Sequence, residues 1–156
     1  MSRITLPGRM KMRWLSSIPT DPENPTVAEI TAGTDLVGTG QEEALAEIQG
    51  LILNSTTIAT PDYTSHQVGN VPGDETIADS RLSFYKDDTD EEIYTTLVKG
   101  TVGYLAVMFD GEAAGDECKL YPATVQSNER RPDRDAANIF DVPLATSIPY
   151  VGTIAA

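Results

Sequence analysis

Acidic side chains are the residues of this sequence whose type and spacing most invite a chemical interpretation. Five acids fall within residues 87–92, and clustered carboxylates are the ligands that calcium prefers. An EF-hand calcium loop also needs a glycine at its sixth position and a glutamate at its twelfth. Counted from Asp88, those positions hold Ile93 and Lys99, so the pattern fails. We instead expect these acids in the first turn of a helix, where the macrodipole favours negative charge.

Other metal-binding and catalytic patterns are also incomplete. A zinc site needs several Cys or His ligands, and the chain has only Cys118 and His66. A phosphate-binding loop needs a lysine after its glycines, but Gly38 and Gly40 are followed by Gln and Glu. A lone Cys118 cannot form an internal disulfide, and we interpret it as a buried or half-buried thiol in a reducing compartment. We therefore predict that the protein is not an enzyme and uses no cofactor or metal.

The charge is strongly negative and unevenly distributed. The chain has 11 Lys and Arg against 24 Asp and Glu, a formal charge of −13. Residues 14–80 hold eleven acids and no Lys or Arg, whereas Arg3, Arg9, Lys11 and Arg13 stand within the first 13 residues. Such a chain has no general attraction for nucleic acid, because binding to phosphates depends on Lys and Arg. The acidic stretch provides solubility, or forms a surface that repels an anion or meets the basic N-terminus of a neighbour.

Length and hydropathy predict one domain over residues 1–156, with a possible N-terminal arm at 1–8 and a C-terminal arm at 147–156. A chain of 156 residues can bury a core without disulfides. No apolar run approaches 18 residues, so we expect no membrane-spanning segment. The basic residues at positions 9, 11 and 13 interrupt the first apolar residues, so we expect no secretory leader.

Local patterns in the first half predict two strands and two helices. Met10, Met12 and Trp14 alternate with Lys11 and Arg13, which is typical of a half-buried strand over 9–15 with a cationic outer face. A capping box at residues 26–29 predicts a short helix that ends at residue 33. The spacing of apolar residues in 41–49 favours a second helix, and residues 51–58 indicate a strand.

The second half predicts mainly strands. Residues 59–75 form a long loop or an extended hairpin, whose length suggests a functional segment. Strands are expected over 77–86, 101–109, 117–126 and 138–146, with a helix at about 89–99. Strands that outnumber helices and pair mostly as neighbours point to an antiparallel β-sandwich or open barrel flanked by one helix.

The sequence also resembles the major tail (tail tube) proteins of long-tailed bacteriophages, notably those that infect actinobacteria. The resemblance lies in an ordered set of segments and covers nearly the whole chain, with residues 41–50 the least similar. The segments are PTVAEITAGTDL (25–36), TPDYTS (60–65), DSRLSFYKD (79–87), GTVGY (100–104), YPATV (121–125) and AANIFDVP (136–143).

The resemblance implies a structural subunit of the tail tube of a virion, assembled in the host cytoplasm. It implies hexameric rings stacked into a tube around a tape-measure protein, with a tail terminator and distal tail proteins as further partners. DNA would later pass through the lumen without specific binding. Six copies of a chain with a charge of −13 carry −78. An acidic lining would keep DNA mobile, whereas a lysine-rich lining would bind its phosphates.

Two sets of residues follow as candidates for this assembly. The long 59–75 segment, the termini and the basic residues are expected at contacts between subunits or rings. The contact candidates are Arg9, Lys11, Arg13, Asp62, Tyr63, Arg130, Arg131 and Arg134. The candidates for the acidic lumen are Asp35, Glu42, Glu43, Asp74, Glu75 and Asp79.

Two alternative functions remain open from the sequence. One is another ring-forming tail or secretion-tube component, such as a tail terminator or a baseplate ring. The other is a soluble β-sandwich binding module.

Overall fold

The structure of the chain is a computed structural model that describes residues 9–37, 45–61, 63–64, 66, 68–86, 91–132 and 138–156. These residues form eleven strands and two short helices, so the predicted mainly β fold class is confirmed. The strands are β1 (Lys11–Leu15), β2 (Thr34–Asp35), β3 (Leu45–Gln49), β4 (Leu53–Thr60), β5 (Gly69–Ile77), β6 (Ser80–Tyr85), β7 (Val102–Met108), β8 (Glu117–Val125), β9 (Glu129–Arg130), β10 (Ile139–Thr146) and β11 (Tyr150–Thr153). The helices are α1 (Val27–Thr31) and α2 (Glu92–Thr96).

Nine of these strands form one antiparallel sheet. Its order is β2-β1-β7-β8-β10-β6-β3, with β9 added to β10 and β11 added to β8. The two ends of this order approach each other where the Leu45 N–H donates to the Val37 carbonyl at 3.4 Å. The sheet therefore curls into an open barrel, as the strand pattern predicted.

Strand β8 is the centre of the sheet. One of its edges pairs with β7, and the other is shared between two shorter partners. Residues 117–120 pair with β11, whereas residues 123–125 pair with β10. The nine-residue length of β8 therefore lets two branches of the sheet diverge from one strand.

The main core lies on the inner face of the barrel. Met12 and Trp14 point into it from β1, while Lys11 and Arg13 lie on the opposite face, which confirms the predicted alternation. Phe84 of β6 stacks on Phe140 of β10 with ring centroids 5.4 Å apart. The side chains of Ile93 and Leu97 close this core from the α2 side.

A smaller core covers the other face of β7 and β8. Ile30 of α1 and Ile154 near the C-terminus pack there against Met108 and Leu120. Strand β7 is thus buried on both faces, which explains why its sequence is an apolar run rather than an alternation. The predicted capping box is confirmed, because the Glu29 N–H donates to Thr26 Oγ1 at 3.2 Å and the Thr26 N–H donates to Glu29 Oε2 at 3.0 Å.

The C-terminal residues lie within the sheet of the single chain. Strand β11 pairs with β8, and the Ala155 carbonyl accepts a hydrogen bond from the Val27 N–H at 3.1 Å. The proposal that residues 147–156 act as an arm stays a prediction for an assembled state. The predicted arm at 1–8 lies outside the described residues.

The helix predicted over 41–49 is wrong for its described part. Residues 45–49 form the strand β3, which pairs with β6; residues 41–44 lie outside the described residues. A β-bulge between Leu45 and Glu47 places Leu45 opposite Phe84 and Ile48 opposite Leu82. The bulge turns both side chains to one face at a spacing of three residues, and that spacing imitates a helical period.

Two other elements differ from their predicted bounds. The strand predicted over 77–86 is divided, since β5 ends at Ile77 and β6 begins at Ser80. Of the two alternatives for residues 59–75, the extended hairpin is the one found. The helix predicted at 89–99 is shorter, because Leu97 leaves the helical conformation (φ −92°, ψ 62°) to place its side chain in the core.

Candidate assembly interface

Strands β4 and β5 form a two-stranded sheet of their own, separate from the nine-stranded sheet. We call residues 53–77 the ribbon. Every residue of β4 is exposed, as are all of β5 except Gly73 and Ile77, which are half-buried. The described turn residue Tyr63 is fully exposed, whereas Asp62 lies outside the described residues. An isolated pair of strands is at best marginally stable in water, so a ribbon this exposed lacks the packing that a partner surface would provide.

The ribbon carries apolar side chains that the single chain does not cover. Ile58 and Val71 are directly opposite each other across the two strands, and they are 57% and 44% exposed. Leu53, at the base of the ribbon, is 45% exposed. Both outer edges of the ribbon also present unpaired backbone groups, a feature that proteins normally cover or interrupt. Sequence reasoning placed Ile58 in a strand over 51–58 but did not single out Val71, because the surrounding Gly, Asn and Pro residues gave no strand alternation.

Three of the predicted lumen acids lie on this element or at its base. Asp74 and Glu75 are on β5, and Asp79 lies between β5 and β6. No Lys or Arg among the described residues forms an ion pair with any of the three. Asp35 lies on β2, where its Oδ1 accepts a hydrogen bond from the Val37 N–H at 3.1 Å. Glu42 and Glu43 lie outside the described residues.

Arg13, a predicted contact residue, is engaged within its own chain. Its Nε lies 2.6 Å from Glu112 Oε1 and its second terminal nitrogen lies 3.3 Å from Oε2, so the pair is bidentate. The guanidinium also donates to the Gly33 carbonyl at 3.0 Å. The hydrogen bond with Glu112 and the charges of Glu112 and Asp35 raise the pKa of Arg13 against the opposing effect of burial. Arg13 therefore links β1 to the β7–β8 connection.

Arg9 and Lys11, the other described cations near the N-terminus, are less tightly held than Arg13. Arg9 lies 3.9 Å from Asp110, and about half of each side chain is exposed. Lys11 lies on the outer face of β1 and is half-buried. Both remain predictions as contact residues.

Arg131 belongs to a network on the outer face of the sheet. It donates to both carboxylate oxygens of Asp141, at 2.8 and 2.9 Å, and to Ser83 Oγ at 3.2 Å. Ser83 in turn donates to Asp141 at 2.6 Å, and Glu47 lies 3.8 Å from Arg131. The carboxylates that balance the charge of Arg131 thus come from β10 and β3, and not from its immediate sequence neighbours.

Arg130 and Arg134 are the other two predicted contact residues close to Arg131 in the sequence. Arg130 donates to Asn138 at 3.0 Å in an exposed position. Arg134 lies outside the described residues. Neither placement tests a contact with another subunit, so both remain predictions.

The described residues match neither the metal-binding nor the membrane-spanning patterns considered from the sequence. Within them, no three His, Cys, Asp or Glu side chains converge in a way that would hold a metal ion. No helix in the same part of the chain has both the length and the apolar character needed to cross a bilayer. Cys118 is buried at 2% exposure, as predicted, and burial raises its pKa to about 11.

Several solved structures share this fold. A chain of the anti-feeding prophage cap, a tube terminating cap, aligns with a TM-score of 0.59 at 12% identity, over 98% of this chain and 94% of that one. A chain of the sheath-tube complex of an extracellular contractile injection system, in its extended state, gives 0.55 at 10% identity over 96% and 92%. A chain of the native gene transfer agent virion gives 0.54 at 14% identity over 97% and 100%. At these identities the likeness is one of fold alone.

Sequence comparison identifies the family. Curated proteins give no sequence match. A family model described as phage tail tube protein matches residues 1–155, which is nearly the whole chain. This is a family of structural proteins, which points away from catalysis. The chain therefore belongs to the phage tail tube protein family and is a structural subunit of a tail tube, a component of the virion tail.

Proposed function

We propose that six copies of this chain form a ring, and that the rings stack into a tube with an acidic lumen through which the genome leaves the virion. The tube encloses a tape-measure protein before ejection and ends against a tail terminator and distal tail proteins. It is assembled in the host cytoplasm, and DNA passes without specific binding. The subunit is one domain over 1–156 with no catalytic role.

The observation that carries this proposal is the uncovered ribbon. Its two strands contact each other extensively but make no comparable contact with the barrel. Its exposed Ile58 and Val71 form an uncovered apolar pair, and no third described strand pairs with the edges of its two-stranded sheet, so both features are open to a partner. A copy in the next ring would cover them, and repetition of a head-to-tail contact builds an open-ended assembly. Tyr63, at the turn of the ribbon, and its sequence neighbour Asp62 belong to this contact.

The more exposed basic residues would supply a second, electrostatic part of the contact. Arg13 and Arg131 are satisfied within their own chain, so their contribution to a subunit interface is indirect. Arg9, Lys11 and Arg130 keep exposed or half-exposed side chains that can meet the acids of a neighbour. A pair of this kind between exposed groups contributes about 0.2–1 kcal/mol, so it directs the contact more than it stabilises it.

The acidic lumen is supported by Asp74, Glu75 and Asp79, which lie close together in sequence without a described counter-ion. Repeated around a ring, with Asp35, Glu42 and Glu43, they would create a negative lining. Such a lining repels a polyanion and leaves it mobile. A lining of Lys or Arg would instead release counterions from the DNA and hold it.

Electron microscopy of matched variants tests this function. Val71→Asp places a charge on the uncovered apolar face of the ribbon, whereas Val98→Asp places the same charge on a valine of similar exposure (49%) beside α2. We expect tubes of indefinite length from the unmodified chain and from Val98→Asp, and dispersed subunits with an unchanged circular dichroism spectrum from Val71→Asp. Single closed rings from the unmodified chain would instead indicate a terminator, and a permanently dispersed monomer would contradict the proposal.

A further inference from the structure

The ribbon is not a separate hairpin but the outer half of a longer one. In its inner half, β3 pairs with β6 and Gln49 lies opposite Arg81. In its outer half, Leu53 lies opposite Ile77. Four residues separate Gln49 from Leu53 on one strand, and four separate Arg81 from Ile77 on the other. The pairing register therefore continues from the inner half of the hairpin to the outer half. The Ala78 N–H donates to the Ile52 carbonyl at 3.1 Å in between, so the two strands bend together and do not separate.

Two consecutive residues with positive φ produce this bend. Gly50 has φ 82°, and a Cβ there would lie 2.3 Å from the Asp79 carbonyl oxygen, so only glycine fits. Leu51 has φ 60°, and it is the only non-glycine residue with positive φ in the described part of the chain. A bulky side chain rarely adopts this conformation, which persists only where surrounding contacts impose it.

Two side chains of the barrel form hydrogen bonds with the backbone of Leu51, one with its N–H and one with its carbonyl. Its N–H donates to Ser80 Oγ at 3.1 Å, and its carbonyl accepts from the Tyr121 hydroxyl at 3.2 Å. Ser80 Oγ also lies 3.1 Å from the Ala78 carbonyl and 3.2 Å from Thr146 Oγ1. The bend is therefore attached to β6, to β10 and to the central strand β8.

Ser80 and Tyr121, which supply the two hydroxyl groups, are both buried. Ser80 is 3% exposed, and Tyr121 is 4% exposed with its ring in the main core. Burial raises the pKa of Tyr121, so its hydroxyl stays protonated and donates. Ser80 is one of only two buried polar residues in the described chain. Buried polar groups of this kind need their partners, which makes the bent geometry the one that satisfies them.

We propose that Ser80 and Tyr121 are positioning residues that fix the direction in which the ribbon leaves the barrel, and thereby the register between stacked subunits. This inference rests on the proposed function of the ribbon as a contact between rings. The clamp formed by the two hydroxyls lies at the base of the ribbon. Ile58 lies seven residues beyond Leu51, roughly 23 Å along an extended strand, so a rotation of about 10° there displaces the exposed pair Ile58 and Val71 by roughly 4 Å, about the length of one residue.

The test removes the Tyr121 hydroxyl alone. Tyr121→Phe keeps the ring in the core, and Tyr104→Phe is the control, because Tyr104 also packs by its ring but its hydroxyl has no described hydrogen bond. Spin labels at Tyr63→Cys, in the turn, and Val102→Cys, exposed on the barrel, report the ribbon's direction in the dispersed subunit. The buried Cys118 leaves these two sites as the labelled ones.

We expect one narrow distance distribution in the parent and in Tyr104→Phe, and its loss in Tyr121→Phe, with little change in melting temperature. Unlabelled Tyr121→Phe should then lose a constant helical rise and twist in cryo-EM. An unchanged distance distribution in both Tyr121→Phe and Ser80→Ala would overturn the inference, and so would a broadened one with the parent's rise and twist. In either case, if the parent protein forms tubes, the proposed function still stands. If the parent protein forms no tubes, that function is refuted, but the distance measurement on the dispersed subunit still tests the roles of Ser80 and Tyr121.

Discussion

Asp141 is the residue at which opposing electrostatic effects are most clearly balanced. Burial by itself would raise its pKa, but hydrogen bonds from Arg131 and Ser83 and the charges of Arg131 and Arg81 together outweigh burial and hold the pKa below its usual value. The folded chain thus binds fewer protons at this site than the unfolded chain does. The resulting stability is present above the unfolded pKa of about 3.9 and is lost as the pH falls through the lower folded value.

We predict that Asp141→Asn lowers the free energy of unfolding by about 1–3 kcal/mol at pH 7, because hydrogen bonds to a charged group are lost. The difference from the parent should shrink below about pH 4, because the unfolded parent chain takes up a proton on Asp141 there and the folded chain does so only at lower pH. Urea unfolding of both proteins from pH 7 to pH 2 measures this. Glu117→Gln, which changes an exposed acid on β8, should show no such convergence, and a constant difference for Asp141→Asn would argue against the network.

Cys118 should be inert in the folded chain. Its raised pKa of about 11 leaves only about one thiol in a thousand ionised at pH 8, and its burial blocks access. We expect no reaction with an aromatic disulfide reagent in native buffer and one full equivalent after denaturation. Rapid native reaction of one thiol would show that the smaller core is open.

Individual residues show which features of the structure can be predicted from the sequence and which cannot. Cys118 was placed in the interior from its chemistry alone, and the Thr26–Glu29 capping box from spacing of three residues. The partner of Arg13 is Glu112, 99 positions away, and no local pattern reveals such a distance. The positive φ of Leu51 is equally hidden, because leucine has no preference for it.

At the scale of elements, the ribbon and strand β7 differ most in how well their backbone hydrogen bonds are protected from solvent. The ribbon's hydrogen bonds join two exposed strands, whereas β7 is paired on both edges and covered on both faces. Local opening requires little energy where few buried contacts must break.

We predict that amides of residues 59–75 exchange rapidly in the dispersed subunit and slowly in the tube. Hydrogen exchange with mass spectrometry measures both states, and peptides of β7 and β8 serve as the internal control because they should be slow in each. Equal protection of the ribbon in subunit and tube would refute its assignment as the contact between rings.

Elements also explain which parts of the fold were predictable. Strands β1, β7, β8 and β10 follow from period and apolar content, since each carries its own burial pattern. Strand β3 was missed because its bulge gives apolar residues a helical spacing, and only pairing with β6 decides between the two structures. The antiparallel pairing could be predicted, but about six strands were expected and the described residues form eleven. The division of β8 between β10 and β11 depends on contacts between distant segments.

At the scale of the whole molecule, the charge of −13 opposes assembly. Each subunit brings far more acids than the few free bases can compensate, so repulsion between copies exceeds the attraction of exposed ion pairs. The proposed apolar contact of the ribbon is not weakened by salt. The repulsion between subunits is screened, because the Debye length falls from about 10 Å at 0.1 M to about 3 Å at 1 M ionic strength.

We therefore predict that the lowest protein concentration at which tubes form falls when NaCl is raised from about 0.1 M to about 1 M. Sedimentation of the assembled fraction at each concentration measures it. Tubes that dissolve as salt increases would show that ion pairs, and not the apolar ribbon, hold the rings together.

A cryo-EM map of tails assembled from this chain tests the central claim most directly. The account predicts stacked six-fold rings in which the face of the ribbon that carries Ile58 and Val71 is buried against a subunit of the neighbouring ring, while Asp74, Glu75 and Asp79, nearer the base of the ribbon, face the central passage. A map in which the ribbon stays in solvent, or in which Lys and Arg line the passage, would contradict it.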